Sequence, residues 1–162
     1  ELLEQAVGEY SDRFDACKLE IVTSIPESAR SVMADGRLLW RVFSNLFSNL
    51  VKYAQPETRV YINSVRTIDN NIMISIKNVS REALNISAEE LTQRFVRGDE
   101  SRHSEGSGLG LNIVENLVHL QNGYFNIVID GDLFRTNIIL PAKPEEVPTQ
   151  NPSTESNVFD KN

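Results

Sequence analysis

A glycine-rich segment that runs into a helical pattern constrains this chain more than any other stretch. Its glycines alternate with other residues at Gly106, Gly108 and Gly110, and apolar residues at helical spacing follow over residues 111–120. Because glycine has no Cβ, an anion can approach this backbone closely, and the N–H groups at the start of a helix attract negative charge. We therefore expect the loop to border a phosphate site, although a flexible connection would use the same residues.

Composition and charge argue against several classes of protein. The chain has 162 residues, enough for one domain with a core. Its net charge of −7 argues against non-specific binding to nucleic acid. The single cysteine, Cys17, cannot form a disulfide within the chain. No apolar run reaches the length of a membrane span. Because the chain begins with Glu1 rather than methionine, we expect a longer parent protein, and a membrane anchor would lie outside this sequence.

The hydrophobic periodicity predicts a two-layer α/β (α+β) sandwich. Helical patterns cover residues 1–18, 35–54, 87–94 and 109–121, and strand patterns cover residues 18–25, 31–34, 58–66, 71–78, 124–129 and 133–140. Asp69-Asn70 and Asp130-Gly131-Asp132 favour hairpins, and Asn122-Gly123 favours a helix end. We expect three main helices on one face of a mixed, mostly antiparallel sheet.

This pattern also predicts how the chain is divided. Residues 1–18 form a helical lead-in, residues 19–142 form the compact domain, and residues 143–162 form a disordered tail, because that tail is rich in proline and polar residues.

One face of the predicted long helix carries polar residues beside an apolar stripe. Asn45, Asn49, Lys52 and Tyr53 follow helical spacing and share that face. Buried amides need partners, and a nucleotide with its metal would supply them. Asparagine oxygen suits Mg²⁺, and Lys52 can meet phosphate charge. Solvated polar residues on a helix surface are the alternative interpretation.

Two further groups of polar residues have binding chemistry. Asn78 ends a predicted strand, and its amide can both accept from and donate to an adenine edge; ordinary turn chemistry is the alternative. Three arginines, Arg94, Arg97 and Arg102, flank residues 98–101 in or beside the polar segment at residues 96–107, which we expect to be a mobile lid. An arginine there can bind phosphate oxygens in a bidentate manner, and a solvated charged loop is the alternative.

Together these segments resemble the catalytic and ATP-binding domain of bacterial sensor histidine kinases over about residues 20–141. Three segments occur in the family's order and spacing: the asparagine-bearing helix at residues 39–54, the phenylalanine box at residues 93–99 and the glycine box at residues 106–111. The resemblance implies Mg²⁺ on Asn49 and catalytic roles for Asn45, Lys52 and Arg97. The nucleotide contacts that it implies are Asn45, Asn49, Lys52, Tyr53, Asn78, Ser80, Arg97, Gly106, Ser107, Gly108, Leu109 and Gly110.

The sequence departs from the family at its first glycine box. Asn78 falls where the family usually has the aspartate that holds the adenine amino group, and Ser80 replaces the first glycine. An amide still accepts that hydrogen bond, but charge-assisted bonds are about twice as strong as neutral ones. We therefore expect weaker ATP binding rather than a lost function.

The expected activity is transfer of the ATP γ-phosphate to a histidine on a dimerisation domain outside this chain. Related ATPases and anti-sigma serine kinases typically carry a glutamate base at the position of Asn45, and an amide cannot accept a proton. Histidine already presents a lone pair and needs no such base. The resemblance implies a response regulator as partner and a cytoplasmic domain of a membrane-anchored homodimeric parent, this fragment itself being monomeric. A degenerate nucleotide-binding regulatory module is the alternative.

Overall fold

The computed structural model describes residues 1–84 and 109–144. Its elements in chain order are helix α1 (Leu2–Ala16), strand β1 (Glu20–Ser24), a short 3-10 turn (Glu27–Ala29), helix α2 (Gly36–Tyr53), strands β2 (Arg59–Arg66) and β3 (Asn71–Val79), helix α3 (Leu109–His119), and strands β4 (Tyr124–Asp130) and β5 (Leu133–Pro141). The predicted helix at 87–94, the predicted lid and the predicted tail beyond Pro144 lie outside the described residues.

The strands of the described residues form one mixed sheet in the order β1-β2-β3-β5-β4. β1 pairs with β2 in parallel, and the other three pairings are antiparallel. Both predicted hairpins are confirmed, since Asn70 and Gly131 take the left-handed backbone conformation that their turns require. The expected mostly antiparallel sheet is therefore confirmed.

The strand predicted at residues 31–34 is wrong. Val32 makes only an isolated bridge with Ala142, supported by a bond from Met33 N to the Pro141 carbonyl of 2.8 Å. Ser31, Met33 and Ala34 are exposed, so this segment has too little apolar surface to extend the pairing. Before this segment the chain forms the short 3-10 turn Glu27–Ala29, where the buried hydroxyl of Ser64 donates to the Ala29 carbonyl at 2.9 Å.

The helices lie on one side of the sheet, which we call the helix-facing side. Its core is formed by alternate residues of the central strands, Ile72, Ile74 and Ile76 of β3 with Ile138 and Leu140 of β5, and by the apolar stripe of α2. α3 packs against α2 through Leu111, Val114, Leu117 and Val118. The opposite side of the sheet, which we call the open face, carries the intervening residues.

Helix α1 packs on α2 and contributes to the same core. The Phe14 and Phe47 rings meet edge-on with centroids 5.6 Å apart, and the Tyr10 hydroxyl donates to the Ser44 carbonyl at 3.1 Å. Leu3, Ala6 and Phe14 are buried. The aromatic contacts hold α1 along the side of α2 that lies away from the asparagine pair.

The end of α3 approaches β5 very closely at Gly123. A Cβ on Gly123 would lie 2.6 Å from the Ile139 carbonyl oxygen and 2.8 Å from a Val118 methyl. The turn that follows α3 closes one residue earlier, where Asn122 takes a positive φ of 57° and the Gly123 N–H returns to the Val118 carbonyl at 3.0 Å. Gly123 therefore sets how tightly α3 can pack on the sheet.

Candidate functional site

Helix α2 presents its asparagine pair where the apolar stripe gives way to solvent. Asn45 and Asn49 are half-buried, while Leu46 and Leu50 beside them are buried in the core. The helix begins at Asp35, whose carboxylate accepts from Arg37 N at 2.8 Å and Leu38 N at 3.2 Å. Those hydrogen bonds from Leu38 and Arg37 lower the pKa of the Asp35 carboxyl. This cap fixes the start of α2 and with it the rotational position of the two amides.

The start of α3 lies directly against the asparagine pair. A Cβ on Gly110 would stand 3.6 Å from Asn49 Oδ1 and 3.7 Å from Asn45 Oδ1. Two amide oxygens thus converge on one point beside the first turn of a helix, where the backbone has no side chain in the way. The structure therefore brings together Asn45, Asn49 and Gly110.

The orientation of the Asn45 amide is fixed by its own helix. Its Nδ2 donates to the Arg41 carbonyl one turn earlier, at 2.7 Å. Because this bond turns the nitrogen toward Arg41, the amide oxygen is the atom that Asn45 presents toward Gly110. This role of the Arg41 carbonyl was not predicted from the sequence, although the spacing of four residues is typical of such a bond.

The C-terminal end of α2 is tied to the segment that follows β3. Gln55 N donates to the Val79 carbonyl and Arg81 N donates to the Tyr53 carbonyl, both at 2.8 Å. Ser80 N also donates to the Asp132 carbonyl at 2.7 Å. Tyr53, with 42% of its surface exposed, and Ser80 therefore lie side by side at one edge of the helix layer.

Asn78 lies at the last helix-facing position of β3. It follows Ile72, Ile74 and Ile76 in the strand alternation and is only 6% exposed. Its Nδ2 donates to the Val79 carbonyl at 3.1 Å. The bond leaves Oδ1 as the acceptor that this buried side chain can present to a ligand.

The remaining predicted residues are placed only in part. Lys52 is exposed in the last turn of α2, and Leu109 opens α3. Six of the predicted residues lie outside the described residues: Arg94, Arg97, Arg102, Gly106, Ser107 and Gly108. The described part of the site thus consists of the amide pair with Gly110 and, at the end of α2, the Tyr53, Asn78 and Ser80 group.

The donor set fits a hard cation that keeps part of its water shell. Within residues 1–84 and 109–144, no three histidine, cysteine, aspartate or glutamate side chains gather to hold a metal. Asn45 and Asn49 instead offer neutral oxygens, and Mg²⁺ typically takes one or two protein oxygens beside the phosphates of a nucleotide. The chemistry of the donors therefore suits a metal that arrives with a phosphate ligand.

Comparison with known families identifies the chain. Residues 34–154 match the model of the histidine kinase-, DNA gyrase B- and HSP90-like ATPases, which is more than half of the sequence. The chain therefore belongs to this family of ATP-binding domains.

Known relatives within that family are sensor kinases. The chain is 38% identical over 97 residues to the sensor histidine kinase HprS of Escherichia coli K12, covering 60% of this chain and 21% of the relative. It is 34% identical over 144 residues to the sensor histidine kinase CusS of E. coli O6:H1, covering 86% of this chain and 30% of that protein. The resemblance to the catalytic, ATP-binding domain of bacterial sensor histidine kinases is thereby confirmed.

Solved structures agree on the fold. The mycobacterial sensor histidine kinase MprB superimposes with a TM-score of 0.69 at 21% identity, covering 89% of this chain and 94% of that one. A nucleotide-free catalytic domain of histidine kinase ThkA gives a TM-score of 0.72 at 17% identity, covering 87% and 90%. The two-layer fold expected from the sequence is confirmed.

The chain spans less than a third of the length of either sensor kinase named above. Among the described helices, none combines the length and the apolar character that a membrane crossing needs.

Proposed function

We propose that this domain binds Mg-ATP and transfers its γ-phosphate to a histidine on a dimerisation domain of the same protein, from which the phosphate passes to a response regulator. The observation that carries the proposal is the amide pair of α2, whose two oxygens converge beside Gly110. In this proposal the parent is a membrane-anchored homodimer, and the domain works on its cytoplasmic side.

The amide pair supports transfer to histidine because it contains no base. Asn45 stands where a hydrolase of this family would need a carboxylate, and its amide nitrogen is already bound to the Arg41 carbonyl at 2.7 Å. Water and serine need a base to remove a proton as they attack, whereas neutral imidazole attacks with a lone pair. The proposed acceptor is therefore the nucleophile that demands least from this site.

Each residue of the site has a proposed task. Asn49 Oδ1 would hold Mg²⁺, and Asn45 Oδ1 would supply a second neutral oxygen beside it. The metal, when bound, screens the negative charge of the phosphates. Lys52 binds phosphate from the next turn of α2. The closeness of Gly110 to both amides lets the phosphates lie over the first turn of α3.

Contacts to the adenine ring and from the lid complete the proposed site. Asn78 Oδ1 accepts from the adenine amino group, while Tyr53 and Ser80 line the space beside it. Arg97, Gly106, Ser107, Gly108 and Leu109 are assigned to the phosphates on the sequence resemblance alone. Neither His119, which is exposed on α3, nor His103 has a sequence context typical of a phosphoacceptor.

The test uses the parent protein with its proposed dimerisation domain and ATP labelled on the γ-phosphate. We expect magnesium-dependent labelling that resists base and is lost in acid, as a phosphorus–nitrogen bond requires, and no labelling in the Asn49→Ala parent. ATP binding without any labelling of the wild-type parent would contradict kinase activity and support a degenerate nucleotide-binding regulatory module. Acid-stable labelling would indicate a hydroxyl acceptor.

A further inference from the structure

One cross-strand row on the open face of the sheet has an unusual composition. It contains one residue from every strand, in the spatial order Val22, Tyr61, Lys77, Arg135 and Val128. Lys77 and Arg135 are direct register partners at its centre. The row thus places two cations side by side, with an aromatic ring on one flank and an aliphatic side chain on the other.

Neither central cation forms an ion pair with another described residue. Every ion pair seen in residues 1–84 and 109–144 lies elsewhere. Both side chains are half-buried, and the Arg135 Nε is buried without a hydrogen-bond partner. Arg59, the nearest cation on β2, is bound to Glu20 with Nε and Oε2 3.0 Å apart. A buried guanidinium nitrogen without an acceptor is uncommon, because buried polar groups are nearly always paired.

Opposed like charges destabilise a sheet, so this pair costs stability in the free domain. An anion between Lys77 and Arg135 would remove the repulsion and give the Arg135 Nε an acceptor. We propose that this row is a docking surface for an acidic segment of a partner protein, whose carboxylates bind Lys77 and Arg135 while its apolar atoms pack on Tyr61 and Val128.

The shape and charge of the domain favour a protein segment over other anions. The row crosses all five strands of the sheet, which suits an extended or helical segment better than a small ion. Nucleic acid or an anionic membrane would present negative charge well beyond the row, where the net charge of −7 on the chain would repel it, whereas a short acidic segment can confine its carboxylates to Lys77 and Arg135. One adjacent row is neutral, with Ser75 Oγ donating to Asn137 Oδ1 and Asn137 Nδ2 donating to Asn126 Oδ1, both at 2.7 Å. The other contains the Arg59–Glu20 ion pair and Asp130.

This surface is separate from the nucleotide site. Lys77 and Arg135 point to the open face, whereas Asn78 and the asparagine pair belong to the helix-facing side. The proposal therefore does not depend on the proposed function, and its failure can be distinguished by measuring ATP binding in the same variants.

The test is a titration of the domain with a hexaglutamate peptide, followed through backbone amide chemical shifts, with hexaglutamine and sodium phosphate as control ligands. We expect the largest shifts around Tyr61, Lys77 and Arg135. The Lys77→Gln/Arg135→Gln variant should bind at least tenfold more weakly. The matched control Lys18→Gln/Arg30→Gln removes the same charge from cations already paired with Glu57 and Glu27, and should bind like the wild type.

Stability supplies a second readout. Lys77→Gln removes the repulsion, so it should raise the Tm of the free domain by about 1–3 °C, whereas Lys18→Gln should not raise it. Shifts that map away from the row, or phosphate acting as strongly as hexaglutamate, would overturn the proposal of a protein docking surface. Loss of ATP binding in the Lys77→Gln/Arg135→Gln variant would overturn the separation of the two sites.

Discussion

The two faces of the sheet use polar residues in opposite ways. On the helix-facing side, β3 and β5 contribute mostly apolar side chains, and the polar exceptions are Asn78 and Thr136. On the open face, a hydrogen-bonded ladder of Ser75, Asn137 and Asn126 lies beside the Lys77 and Arg135 pair. Polar residues are thus exceptional on one face and common on the other.

The difference changes what a polar residue reveals. A buried amide in an aliphatic row costs free energy unless it gains a partner, so Asn78 suggests a ligand by its position alone. On the open face a polar residue is ordinary, and only its relation to its cross-strand neighbours is informative. Lys77 and Arg135 suggest a partner because the register places them together, not because either residue is unusual.

The largest expected effect compares two adjacent isoleucines of β5. Ile138 is fully buried on the helix-facing side and Ile139 is half-buried on the open face. Ile138→Ala should cost about 2–5 kcal/mol in the free energy of unfolding, because it leaves a cavity in the core. Ile139→Ala should cost less than half as much, and urea unfolding measures both. Equal losses would mean that the open face is covered as completely as the core.

The second prediction compares two half-buried amides on different elements. Asn49→Ala should weaken Mg-ATP binding by about 1.5–3 kcal/mol, the range for a hydrogen bond to a charged group. Asn63→Ala, on the open face of β2, should leave the affinity unchanged. Calorimetry with and without magnesium measures both. If Asn49→Ala keeps the magnesium-dependent affinity of the wild type, Asn49 is not the metal ligand.

Much of the architecture could be predicted because local patterns encode it. The α2 stripe, the hairpin turns at Asn70 and Gly131, and the helix end at Asn122 each follow from residues close in sequence. The strand at residues 31–34 was predicted wrongly because four residues carry too little pattern to distinguish a strand from an isolated bridge.

Parts of the candidate site depend on contacts that no local pattern encodes. The approach of Gly110 to Asn45 and Asn49 joins residues more than 60 positions apart, so only the family resemblance linked them. The bond from Asn78 to the Val79 carbonyl and the pairing of Lys77 with Arg135 depend on rotamer and register. Neither can be derived from the order of residues alone.

The third prediction concerns two glycines of the helix layer. A Cβ on Gly123 would lie 2.6 Å from a backbone oxygen, so Gly123→Ala should destabilise the domain by about 1–3 kcal/mol. A Cβ on Gly110 would lie no closer than 3.6 Å to the amides. Gly110→Ala should therefore fold normally, and alanine favours a helix by about 0.5–1 kcal/mol.

Nucleotide binding should separate the same two variants. Gly110→Ala places a methyl group between α3 and the amide pair, so it should weaken Mg-ATP binding while Tm stays the same or rises. Folded Gly123→Ala should keep its affinity at low temperature. Normal Mg-ATP affinity in Gly110→Ala would show that the phosphates do not pass over the first turn of α3.

The smallest expected effect concerns recognition of the adenine ring by Asn78. Because its Nδ2 is bound to the Val79 carbonyl at 3.1 Å, Oδ1 faces the ligand as an acceptor and suits the amino group of adenine. Guanine would place its own carbonyl oxygen there, so the bound amide should disfavour GTP unless it flips and gives up the Val79 bond.

Asn78→Ala should weaken ATP binding by about 1 kcal/mol and reduce the preference for ATP over GTP. Asn78→Asp should strengthen ATP binding by about 1 kcal/mol through a charge-assisted bond, yet lower the Tm of the free domain, because a buried carboxylate would face the Val79 carbonyl without a donor. Competition binding of ATP and GTP, with thermal unfolding of each variant, tests both effects. If Asn78→Ala binds ATP as tightly as the wild type, the adenine is held elsewhere, and the buried Asn78 amide has a structural role only.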